Sequence, residues 1–153
     1  MELCAASLQD YIKGKYEGPM PTDEQVLFQL ANGLEYIHSK KILHRGISPA
    51  NILISKTKPV EMKWSGFGSS KPVNERGTCS LSGLRGTYNW MSPEEMSMFQ
   101  SGKNVDHRRG SVESEIFSAG CVFIFFLLRG LHPFGISFMI PSNILEGRPV
   151  NGS

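Results

Sequence analysis

The chain has 153 residues, 40% of them hydrophobic and 10% aromatic, with 16 Lys and Arg against 14 Asp and Glu. This content supports one domain with a buried core and excludes a disordered tail, and a net charge of +2 is too even to point to nucleic acid or an anionic membrane. Cys4, Cys79 and Cys121 stand far apart with no CxxC pair, which argues against a zinc ribbon or disulfide framework and fits a reducing compartment; no basic-then-apolar leader is visible.

In chain order, Ser7 to Lys15 reads as a short helix with Leu8, Tyr11 and Ile12 on one face. Gly18-Pro19-Met20-Pro21 breaks the chain. Thr22 then caps a helix over about 22–39, with Gln25 completing a capping box and Leu27, Leu30, Leu34 and Ile37 forming one stripe. Asn51–Ile54 and Val60–Lys63 are strand-like runs joined through Lys56, Thr57 and Pro59, a small hairpin. Gly66 to Gly86 is rich in Gly and Ser and poor in apolar residues, the signature of a long loop. Ser92-Pro93-Glu94 starts another helix, and Gln100 to Gly110 is polar and expected to be exposed.

Ile116 to Leu128 is apolar on every side but contains Ser118 and Gly120 and is bracketed by Glu115 and Arg129. A bilayer needs about 20 apolar residues, so this run predicts a core helix over 115–129, with Phe117, Val122, Phe125 and Phe126 inaccessible. Gly130 and His132-Pro133 end it. The expected fold class is mainly α (α+β), helices with a minor sheet.

His44-Arg45-Gly46-Ile47-Ser48-Pro49-Ala50-Asn51 resembles the protein kinase catalytic loop, H-R-D-L-x-x-x-N, and lies between a long amphipathic helix and a hairpin, as that loop does. Gly66-Phe67-Gly68 takes the place of D-F-G, and Gly86-Thr87 through Ser92-Pro93-Glu94 resembles the end of an activation segment. Met1 to Gln9, Asn51 to Ser55, Ile116 to Phe123 and His132-Pro133-Phe134-Gly135 are similar to the inositol-requiring kinase/endoribonuclease of the unfolded-protein response, whose nearest relative is the 2-5A-dependent ribonuclease. The resemblance implies a protein-kinase-like large lobe with a small β-hairpin and the small lobe missing. Residues 1–153 would run from the hinge to the middle of that lobe, without glycine-rich loop, strand lysine, ribonuclease domain, membrane span or lumenal sensor.

The departures bear on chemistry. The family's catalytic-loop Asp is replaced by Gly46, its phosphate-contacting Lys by Ser48 and its magnesium-holding Asp by Gly66. Asn51 alone survives of the metal ligands, and one neutral amide does not replace a carboxylate for a hard cation; it could equally serve as a hydrogen bonder in a turn. A general base contributes about 10²–10⁴-fold, and the metal site a larger electrostatic share. The pattern predicts a pseudokinase with no intact catalytic residue and no metal site.

His44 and Arg45 are expected to support the loop backbone, and Phe67 to be core. Glu94 would pair with an Arg late in the family's large lobe, and Glu115 takes the place of an Asp that accepts from the catalytic-loop backbone, with one methylene more of reach. Cys79 reads as an ordinary loop thiol. The resemblance assigns adenine contacts to Glu2 and Cys4 of the hinge, with Leu53 beneath the purine and Asn51 nearby. ATP is expected weakly at most, and magnesium is not expected. Protein partners are implied, a related kinase-like chain among them, with no nucleic acid and no membrane contact through this segment. The location implied is cytoplasmic, a full-length relative being anchored in the endoplasmic reticulum membrane. The competing reading is an active serine/threonine kinase drawing replacement acids from Glu61, Glu75 or Asp106; a third is a pseudogene product without function.

Overall fold

The computed structural model describes residues 4–81, 88–100, 109–136 and 139–151. Strand β1 (Cys4–Ser7) turns directly into helix α1 (Leu8–Ile12). Ser7 is the pivot: its hydroxyl accepts the Asp10 N–H at 3.1 Å, and the Asp10 carboxylate accepts the Ser7 N–H at 3.0 Å. The same reciprocal device opens α2 (Asp23–Ser39), where Thr22 and Gln25 exchange bonds of 3.2 and 3.0 Å. Val26, Leu30, Leu34 and Ile37 form its buried stripe.

After the short strand β2 (Ile42–Leu43), a 3-10 turn at Pro49–Asn51 leads into β3 (Ile52–Ser55) and β4 (Met62–Trp64). These two form the expected hairpin, paired Ile52 to Trp64 and Ile54 to Met62, and β1 adds to it through Ser7 and Leu53. The sheet is antiparallel in the order β1-β3-β4. Helix α2 packs on β4. Trp64 Nε1–H donates to the Leu30 carbonyl at 2.9 Å, and its ring lies so close to α2 that a Cβ at Gly33 would sit 3.0 Å from it.

Residues 66–81 are not a featureless loop. Phe67–Ser69 make a 3-10 turn, β5 (Lys71–Pro72) pairs with β2, and β6 (Thr78–Ser80) pairs with β7 (Arg109–Ser111), beyond α3 (Pro93–Gln100). Cys79 is therefore a buried strand residue rather than a loop thiol, and Gly110 is buried rather than exposed.

Ser111 caps α4 (Val112–Leu127), accepting from the Ser114 N–H at 3.1 Å, so the apolar helix starts three residues before Glu115. α4 is not buried all round: Val122 and Phe126 are 0% and 1% exposed, Phe117 and Phe125 half-buried, and Ile116 57% exposed. The expectation of a helix buried on every side is corrected: one face turns Ile116 and Leu127 to solvent while Ser114, Glu115, Ser118 and Val122 lie on the buried side. Val122 and Phe126 join Leu8, Leu30, Ile52 and Met62 in the main core. α5 (Ile140–Glu146) closes a second, smaller core with Cys121 and Phe134. No described helix is long and apolar enough to cross a membrane.

Candidate functional site

The loop 44–51 is held in place by buried polar groups from three directions. The Glu115 carboxylate, on the first turns of α4, accepts the His44 N–H at 3.1 Å and the Arg45 N–H at 2.6 Å, and bonds His38 Nε2 of α2 at 2.8 Å. The longer side chain thus reaches the loop backbone. Arg45, with φ of 65°, donates through Nε to the Ser69 carbonyl and through Nη1 to the Ser80 carbonyl at 3.0 Å, tying the loop to the segment after β4.

His44 is 0% exposed, and its ring packs against that of Trp64 at 5.8 Å between centroids. Its Nδ1 accepts the Gly46 N–H at 3.1 Å while Nε2–H donates to the Ser65 carbonyl. That pattern requires the neutral ring, and burial, the largest influence, lowers its pKa against the pull of Ser65 and Glu115. Phe67 packs edge-on to His44 at 5.0 Å between centroids but is 47% exposed, so it is not a core residue.

Gly46, Asn51 and Gly66 converge where the β3–β4 hairpin begins and ends, since Ser65 N–H donates to the Asn51 carbonyl at 2.8 Å. Asn51 Nδ2 donates to the Gly46 carbonyl at 2.7 Å, and a Cβ placed on Gly66 would lie 2.5 Å from Asn51 Oδ1. Ser48 caps the 3-10 turn by position only, without a side-chain bond. Leu53 and Cys4 lie higher on the same sheet, opposite Ser7 and Ser55 respectively. Glu2 and Asp106 fall outside the described residues, as do Met1, Leu3 and residues 82–87. Glu61 stands at the turn end of the hairpin, beside Lys63 at 3.8 Å, and Glu75 is exposed between β5 and β6, so neither joins Gly46 and Gly66.

A cavity of about 150 Å³ opens under the loop, lined by Gly46, Ser48 and Asn51 on one side and by Trp90, Glu95 and Glu115 on the other. Glu95 was not a candidate from sequence, where Ser92-Pro93-Glu94 reads only as the start of a helix. Ser92 Oγ does bond Glu95 at 3.2 Å, but burial raises the Glu95 pKa. Glu94 accepts from Ser114 Oγ at 3.0 Å. Cys121 is pushed up to about 12 and Cys79 is also raised, both by burial, so neither thiol is set up as a nucleophile.

Magnesium does not fit this donor set. Its oxygen ligands would come from the Asn51 amide alone at positions 46, 51 and 66, and that oxygen faces the Gly66 backbone. Glu115, the nearby carboxylate, is occupied by two backbone N–H groups and His38. Among the described residues no group of three or more His, Cys, Asp or Glu is placed to hold a metal ion.

A histidine–arginine loop anchored on a central helix and followed by a short hairpin defines a protein kinase domain. The chain belongs to that family, whose sequence pattern matches residues 1–142. More particularly, it is similar to human serine/threonine-protein kinase/endoribonuclease IRE2, 40% identical over 158 residues, covering 97% of this chain and 16% of the relative. Caenorhabditis elegans serine/threonine-protein kinase/endoribonuclease ire-1 is 35% identical over 96% of this chain and 15% of its own. The Schizosaccharomyces pombe sensor for unfolded proteins in the ER, ire1, is 33% identical over 96% and 16%. The chain thus spans 15–16% of the length of these relatives.

Proposed function

We propose that the chain is the large-lobe portion of a kinase domain of the kinase/endoribonuclease type that does not transfer phosphoryl groups and works as a scaffold or regulator. The observation that carries this reading is the pair of glycines, Gly46 and Gly66, at the two acid positions, with the Asn51 amide lying between them. Phosphoryl transfer depends on positioned metal ions and a group that orients the attacking hydroxyl, and neither is supplied at these positions. The intact anchoring of the loop by Glu115, His38 and Arg45 supports a fold retained for its surface rather than for its chemistry.

The partners we propose are proteins, a related kinase-like chain foremost. The location proposed is the cytoplasmic side of the endoplasmic reticulum, in line with the relative named as a sensor for unfolded proteins there. ATP contacts through Cys4, Leu53 and Asn51 would be weak at most. Calorimetric titration of the purified chain with ATP, with and without magnesium, tests the reading. A Kd weaker than about 1 mM and unchanged by magnesium is expected; tight, magnesium-dependent binding would overturn it.

One observation favours the competing reading of an active serine/threonine kinase. Glu95 lines the same cavity as Gly46 and Ser48, and its raised pKa suits a proton acceptor. Phosphotransfer that disappears in Glu95→Gln would support that alternative.

A further inference from the structure

The geometry points to a guanidinium site in the cavity beneath the loop 44–51, and the reading of the chain as a scaffold, on which this rests, makes its occupant an arginine side chain of a protein partner. Size is the first constraint. The cavity holds about 150 Å³, a volume that in a protein interior takes a planar group as large as a benzene ring. A guanidinium group is smaller and leaves room for the methylene that carries it.

Charge is the second constraint. Glu95 accepts from Ser92 Oγ through Oε1, and among the described residues its Oε2 has no hydrogen-bond partner. Ser48 Oγ, across the cavity, has none among them either. Burial disfavours the ionised form of Glu95, and the neighbouring carboxylates of Glu115 and Glu94 add to that against the bonds from Ser92. Glu115 is engaged by His38 and the loop N–H groups. Arg45, the cation of the lining, turns its Nε and Nη1 to the Ser69 and Ser80 carbonyls. The cavity therefore suits an incoming cation and repels an anion. Trp90 lines it too, and a guanidinium plane stacks on an aromatic ring while its fork donates to a carboxylate, which a compact ammonium does less well.

NMR titration of the unaltered chain with N-acetyl-arginine N-methylamide, without nucleotide, tests the site. The chain has two tryptophans. The Trp90 indole N–H should shift with a Kd of about 1 mM. Trp64, whose indole donates to the Leu30 carbonyl in the main core, should stay in place. The citrulline analogue, neutral and of the same shape, should not bind, and the lysine analogue should bind more weakly. Glu95→Gln should weaken the arginine probe about tenfold or more. No shift at Trp90, equal affinity for the citrulline analogue, or undiminished affinity in Glu95→Gln would overturn the site. Binding of free arginine but not of the capped form would overturn a partner side chain as its occupant. The comparison of probes needs no variant, so it decides the question even where Glu95→Gln fails to fold. A failure here leaves the inactive scaffold standing, whereas phosphotransfer by the chain would overturn that reading and leave the guanidinium site in place.

Discussion

The carboxylate of Glu115 grips the Arg45 N–H at 2.6 Å from a helix that begins more than sixty residues later in the chain. It also accepts the His44 N–H, and the side chain is buried. One residue of α4 thus sets the path of the loop that carries Gly46, Ser48 and Asn51.

Glu115→Ala should therefore be severe. It leaves the buried His44 N–H, the half-buried Arg45 N–H and His38 without their acceptor, a loss of about 3 kcal/mol or more. Urea denaturation measures it. Glu115→Asp, one methylene shorter, should lose about 1 kcal/mol. Equal, small effects of both variants would contradict the anchoring role.

Acid should destabilise the chain through its buried histidines. His44 and His132 use the same device, Nδ1 accepting a backbone N–H and Nε2–H donating to a carbonyl, and burial lowers the pKa of each below the ordinary 6.5. Below that ordinary value the unfolded chain takes up protons that the folded rings refuse. Their stabilisation is complete above pH 6.5 and is lost as pH falls toward the depressed folded values. NMR titration should place both ring midpoints below 6.5; midpoints at or above it would contradict the account.

Glu95 has the opposite sign. Burial raises its folded pKa above the ordinary 4.5, so the folded chain holds the proton more firmly. Its contribution is full below pH 4.5 and is lost as pH rises through the folded value. Glu95→Gln, neutral at every pH, should raise the Tm at pH 7 and lose that advantage as pH falls toward 4.5. A lower Tm at pH 7 would show that Glu95 is stabilised by a charge partner instead.

On α4, position decides the cost of a charge. Val122 is 0% exposed in the main core, so Val122→Asp should cost about 4 kcal/mol or more or prevent folding. Ile116→Asp, at a 57% exposed position in the second turn, should stay within about 0.5 kcal/mol. Chemical denaturation of the two variants compares them directly. Equal losses would mean that the face of α4 carrying Ile116 is buried.

Local patterns carried the elements whose signals are local. Thr22 and Gln25 marked the start of α2, and the stripe differed from the buried one only at its first member, Val26 in place of Leu27. The β3–β4 hairpin was equally legible. Strand β1 was not, because Cys-Ala-Ala-Ser has no alternation and its partner, β3, lies some fifty residues away. The same holds for β6 and β7, whose pairing of Cys79 with Gly110 no short window records. At the site, the glycines at 46 and 66 were visible as departures from a motif, and Asn51 as a turn hydrogen bonder. Its fit against Gly66 was not, since that distance arises only when the two ends of the hairpin meet. Phe67 shows the limit most plainly: its exposure depends on what stands over residues 66–68, not on its neighbours in sequence.

The central claim, that this kinase domain does not transfer phosphate, is tested most directly by incubating the purified chain with γ-labelled ATP, magnesium and a generic protein acceptor. We expect no label above background on the acceptor or on the chain itself, and no difference between the unaltered chain and Asn51→Ala. Label that accumulates with time and is lost in Asn51→Ala would contradict the account.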